Sequence, residues 1–194
     1  MSNLFSFTAS DLANTNNSNR IVDRQETKQF LKFAVDPSTK LMLPIKQITE
    51  VLKIKFGQIV PIPQMPPWVM GVYNWRGDIL WMVDLGHLIG LEPWYQRNDS
   101  RNYQTAIVLS PDKEKTIAQS HRKVGTSLGL IISHVKDIKT CDPSMIQSPP
   151  NNSINGQMIP FVAGYWLEIE NEDLTLVLDG NAIVAAMPKN LSSE

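Results

Sequence analysis

The chain has 194 residues, 42% of them hydrophobic, and sets 18 Lys and Arg against 19 Asp and Glu. That is ample for a packed core, and a net charge of -1 with no basic block excludes bulk electrostatic attraction to nucleic acid or to an anionic membrane. The single cysteine, Cys141, excludes an internal disulfide and a Cys-cluster metal site, and no leader or ~18-residue apolar run stands out, so a reducing cytoplasm is the expected compartment.

Residues 1–26, rich in Asn, Ser and Thr, carry no sustained apolar period and are expected to form a flexible arm. Leu4, Phe5 and Phe7 read more simply as stray apolar residues than as a docking motif. From Gln29 onward short apolar runs alternate with Pro, Gly, Asn and Asp: "FLKFAV", "LMLPI", "VYNW", "ILWMV", "TAIVLS", "LGLII" and "LTLVL". These are strand-length, which predicts an all-β fold. Helical signals are few: "IKQITEVL", a turn after Pro66, and the stretches after Asp84 and Asp179. Between the strands, "PDKEKTIAQSHRK" reads as a solvated loop, and residues 189–194 as a C-terminal tail.

The sequence repeats itself. "LMLPIKQITEVLKI" from Leu41 overlays "LGLIISHVKDIKTC" from Leu128 without a gap, placing Glu50 on Asp137; slightly larger offsets carry Gly71 onto Gly164 and "ILWMVD" onto "LTLVLD". Two related β-units, 41–85 and 128–180, therefore follow each other within one domain of residues 27–188, each small enough to need the other as a packing partner.

Both units end in an apolar run leading into Asp. A duplicated carboxylate pair, Asp84 and Asp179, is what a two-lobed aspartic hydrolase uses, but Asp84-Leu85-Gly86 and Asp179-Gly180-Asn181 lack the Thr or Ser of the protease loop. A helix N-cap, worth about 1 kcal/mol, is the plainer role for both. His87, His121 and His134 are scattered and show no ligand spacing, and no phosphate loop or nucleophile-base pair appears, so no metal, cofactor or catalytic residue is expected.

Only the first unit carries "NWRGD"; the second has "LEIENED" there. Strand alternation puts Val72, Asn74 and Arg76 on one face and Tyr73 and Trp75 on the other, with Gly77 supplying the positive φ of a tight turn. Arg76 then stands partly exposed at a strand end. In "ILWMV" neither alternating face is polar, so both sides of that strand must be covered, by the other unit or by a partner. An Arg amid aromatic and aliphatic surface has the composition of an interface hot spot.

These residues, "VPIPQMPPWVMGVYNWRGDILWMVDLGHLIG", resemble the signature of CheW-like domains, the coupling proteins of bacterial chemosensory arrays: Pro, Pro, Gly-x-x-Asn-Leu-Arg-Gly, an apolar strand, then Asp-Leu before a short helix ending in Gly. The resemblance extends over roughly residues 27–188. It implies two SH3-like five-stranded β-barrels packed together, no enzymatic activity, and an adaptor that joins the helical tip of a chemoreceptor to a CheA-type histidine kinase. Carried across residue by residue, it places Gly71, Asn74, Arg76 and Gly77 on the surface that meets the receptor, with Trp75 beside them where the family has Leu. Glu50 matches an acidic family position near the Arg, which predicts a Glu50–Arg76 ion pair. A detached regulatory domain of a CheA-type kinase would share this fold and stays open as an alternative, as does the aspartic hydrolase.

Overall fold

The computed structural model describes residues 26–97, 102–110, 127–148, 154–168 and 173–188. Residues 1–25, the segment 111–126 and residues 189–194, and with them the expected arm, solvated loop and tail, lie outside the described residues. Among the described residues ten strands follow one another: β1 (Lys28–Ala34), β2 (Lys40–Pro44), β3 (Ile48–Lys55), β4 (Val69–Trp75), β5 (Asp78–Asp84), β6 (Tyr103–Leu109), β7 (Leu128–Ile132), β8 (His134–Cys141), β9 (Val162–Glu168) and β10 (Asp173–Leu178). Two short helices follow the aspartates, α1 (Leu85–Leu88) and α2 (Gly180–Ala185).

The fold is all-β, two SH3-like five-stranded units with only short helices. The strand orders are β8-β1-β2-β10-β9 in barrel I and β3-β6-β7-β5-β4 in barrel II. Advancing each strand of one order by five places around the ten generates the other, so the duplication is real. Its layout differs from a simple succession, however. Each barrel takes the first two strands of one half of the chain and the last three strands of the other half, so the halves are interlaced. The small β-bridges repeat too: Val60 pairs with Val72 in one copy, and Gln147 with Tyr165 in the other.

Interlacing explains why the central strands are apolar on both faces. On β1, Phe30 points into barrel I while Leu31 and Phe33 point into the core shared by the two barrels. On β7, Ile131 points into barrel II while Leu128, Leu130 and Ile132 join the shared core. A strand that alternates between two dry environments has no polar face to offer. Strand β5 follows the same rule, with Leu80 and Met82 inside barrel II and Val83 and Trp81 against the shared core. Ile79 is the exception: near the start of β5 it is left 72% exposed. Buried Gln47, just before β3, ties the barrels further by accepting the N–H of Gly180 at 3.2 Å.

One expected helix is absent. "IKQITEVL" forms a single 3-10 turn at Ile45–Gln47 and then β3. The strand pairs with β6 from Ile48 to Lys55, and its burial alternates residue by residue. Three β-branched residues among the first four, Ile48, Thr49 and Val51, favour this, and tertiary pairing overrides a helical period that spans only eight positions.

Candidate functional site

The first unit's Arg sits on the β4–β5 hairpin. Trp75 pairs with Asp78, which leaves Arg76 and Gly77 as a two-residue loop with φ of +57° and +93°. Two consecutive positive φ values make this the type I′ geometry that matches the twist of the flanking strands. The turn thus begins one residue earlier than strand alternation implies. Arg76 leaves the alternation, and its guanidinium carbon lies 5.6 Å from the centroid of the Trp75 ring. Asn74 closes the turn by accepting the Gly77 N–H at 3.1 Å.

The expected ion pair forms. Arg76 Nη2 donates to Glu50 Oε2 at 2.7 Å, and Trp75 Nε1 donates to the same oxygen at 3.3 Å. Glu50 reaches them from β3, its side chain 26% exposed against 71% for Arg76. Magnitudes decide how to read this clamp. An exposed pair is worth ~1 kcal/mol at most, whereas a left-handed non-Gly residue costs about 1–2 kcal/mol. An Asn in place of Arg76 would close the same hairpin at lower cost. The pair therefore does not account for the strained Arg as a stabilising feature; what it does is fix the orientation of a guanidinium whose remaining donors face solvent. Next to it stand exposed Asn74 and Ile79, cross-strand partners on the outer face.

Gly71 contributes from beneath. It is buried, with φ +136°, and a Cβ there would lie 2.1 Å from the Val60 carbonyl oxygen. It presents no surface of its own; it lets the 60–61 segment pack on β4, with Val60 and Val72 exchanging hydrogen bonds at 2.8 and 2.9 Å.

The same place in barrel I is built differently. Asp137 matches Glu50, and Glu168, closing β9, matches Trp75. Glu168 takes Lys32 Nζ at 3.3 Å on one oxygen and Lys139 Nζ on the other, and Lys139 also pairs with Asp137 at 3.4 Å. Lys32 is only 4% exposed and projects into barrel I, where barrel II has Val108. The hydrogen bond from Lys139 is the largest influence on the Glu168 carboxyl and, with that from Lys32, holds it below the usual carboxylate range against the burial that would raise it. Here the charges neutralise one another inside the fold. Sequence reasoning missed this network, although a Lys between Phe30 and Ala34 on one strand face was its signal.

Asp84 and Asp179 act as caps. Asp84 is fully buried; Oδ1 accepts from the His87 N–H and Arg97 Nη2, both at 3.3 Å, and Oδ2 from the Trp94 N–H at 2.8 Å. Asp179 Oδ1 accepts from the Asn181 N–H at 2.9 Å. Neither carboxylate hydrogen-bonds the other, and a shared-proton dyad needs that contact. His87 lies in α1 and His134 opens β8, while His121 is outside the described residues. Among the described residues no three His, Cys, Asp or Glu side chains gather as a metal site, and no helix is long and apolar enough to cross a membrane.

A model of the family described as "CheW-like domain" matches residues 29–187. The chemotaxis protein CheW of Helicobacter pylori (strain ATCC 700392 / 26695) is 31% identical over 80 residues, a stretch that covers 41% of this chain and 46% of that protein, less than half its length. The scaffolding protein TtCheW from Thermoanaerobacter tengcongensis superposes with a TM-score of 0.60 at 23% identity, over 78% of this chain and 88% of that one, and so shares the fold.

Proposed function

The chain belongs to the family of CheW-like domains, and from that premise we propose that it is a non-catalytic adaptor of a cytoplasmic chemosensory pathway, joining the helical tip of a methyl-accepting-type receptor to the regulatory domain of a CheA-type histidine kinase. The observation that carries this reading is the Arg76 turn: a strained, exposed guanidinium held by Glu50 and Trp75 on a rigid hairpin. Preorganisation of this kind reduces the entropy lost when a partner docks, and Arg beside Trp and an exposed Ile is the composition of a hot spot. The barrel I counterpart, with its charges internally paired, offers no such group, so docking is polarised toward barrel II.

Binding alone is the mechanism; Asp84 and Asp179 serve the two helices. The test is calorimetric titration of the full chain with a receptor hairpin fragment and, separately, with the kinase regulatory domain. Arg76→Glu reverses an exposed charge and leaves the fold intact, so the expected result is at least about tenfold weaker receptor binding. Unchanged affinity for both partners would overturn the assignment.

A further inference from the structure

At the opposite end of β5 from the Arg76 turn, about seven residues or roughly 20 Å along the strand, a cleft of about 570 Å³ opens to solvent. Beneath it Val35, Ile131 and Ile132 are fully buried in the shared core and in barrel II, so the apolar surface it offers is that of Pro37, Trp94 and Tyr95. Trp94 and Tyr95 form a wall, and Trp94 is immobilised twice over. One face stacks on Phe56 at 4.0 Å between centroids, and its backbone N–H is held by Asp84. Tyr95 meets the Trp94 ring edge-on at 5.9 Å.

The charges on the lining have one sign left over. Arg97 is fully engaged: Nη1 donates to the Val35 carbonyl at 2.8 Å, Nε to that of Glu92 at 2.8 Å, and Nη2 pairs with buried Asp84. Its charge is thereby matched within the wall. The carboxylates of Asp36 and Glu92 have no cationic partner among the described residues. Asp36 is fixed in place by the N–H groups of Ser38 and Thr39 at 2.8 and 2.6 Å. Burial pushes the Asp36 carboxyl up, but these donors and the two hydroxyls outweigh it and keep the group below the usual carboxylate range, hence ionised at neutral pH.

We propose that this cleft binds a small organic cation, a guanidinium or alkylammonium group on a short apolar body. The body lies against Pro37 and the Trp94–Tyr95 wall, and the head sits within the field of Asp36 and Glu92. Its volume is that of a small-molecule pocket, and rigid aromatic rings beside uncompensated carboxylates are the surroundings in which a partly desolvated cation gains most. This site is separate from the Arg76 turn and does not depend on the adaptor reading.

The test is calorimetric titration of the full chain with n-butylguanidinium and with n-butylurea, its neutral isostere. The cation should bind at least about tenfold tighter than the urea, and Glu92→Gln, an exposed change that leaves the fold intact, should weaken the cation roughly three- to tenfold while leaving the urea unchanged. A third probe, an acetylated and amidated Gly-Arg-Gly peptide, separates the sources of the cation. Tighter binding than n-butylguanidinium assigns the pocket to an arginine side chain of a partner, and weaker binding to a free metabolite. Equal affinities for cation and urea, no binding by either, or no effect of Glu92→Gln would overturn the proposal.

Discussion

Gly71→Ala separates a scaffolding glycine from a contact residue, and its cost can be worked from the coordinates. The new Cβ would lie 2.1 Å from Val60 O, 2.7 Å from Val60 C and 2.9 Å from Pro61 Cα, more than an ångström inside ordinary contact with the carbonyl oxygen. All three atoms are backbone, so no side chain can swing away. Relief requires the 60–61 segment to lift, breaking the paired hydrogen bonds between Val60 and Val72, at about 1 kcal/mol each. The φ of +136° adds about 1–2 kcal/mol for any L-residue. The sum is roughly 3–4 kcal/mol, or a Tm fall of about 10 °C in a chain of this size. Two other glycines calibrate it. Gly77→Ala meets nothing within 4 Å and bears only the strain of its φ of +93°, about 1–2 kcal/mol. Gly57→Ala meets nothing and has no positive φ, so it should lie within about 0.5 kcal/mol of wild type. Urea denaturation followed by tryptophan fluorescence ranks all three. Gly71→Ala costing no more than Gly77→Ala would refute the steric argument.

Glu168→Gln should lower the Tm by several degrees, because it removes a carboxylate that pairs with buried Lys32; the double change Lys32→Met with Glu168→Gln should recover much of that loss, since barrel II tolerates Val108 at the matching place. The folded Glu168 carboxyl lies below its unfolded value of ~4.3, so its contribution is fully present above that pH and is lost as pH falls through the lower folded value. Thermal scans should therefore find the gap between wild type and Glu168→Gln widest near neutral pH and narrowing below about pH 4, and a pH-independent gap would contradict the ion-pair explanation. Asp84→Asn removes the partner of largely buried Arg97 as well as a cap charge and should cost about 3 kcal/mol in urea unfolding, whereas Asp179→Ala, losing a cap alone, should cost about 1. Equal costs would mean that the Arg97 lock contributes nothing.

The repeat, the hairpin and both caps were legible because each leaves a local mark: an apolar run into Asp, a Gly after Arg, two stretches that overlay without a gap. The interlacing was not legible. Linear offsets show that β2 resembles β7 and β3 resembles β8, but not that β2 and β3 part company into different barrels, which long-range pairing decides. The eight residues of "IKQITEVL" satisfy both periods, and only the partner strand β6 chooses between them, making strand of the last five. The position of Arg76 is legible in the sequence but its backbone conformation is not, since a non-Gly residue at φ +57° runs against strand alternation. Arg97 and Lys32 were passed over because their carboxylates lie 13 and 136 positions away along the chain.

The most direct test is to map backbone amide shifts of the isotopically labelled chain while titrating in a receptor hairpin fragment. The largest changes should fall on Glu50, Asn74, Trp75, Arg76, Gly77 and Ile79, with Asp137, Lys139, Leu167 and Glu168 nearly still. Changes centred on that second group, with the Arg76 turn unmoved, would contradict docking through barrel II.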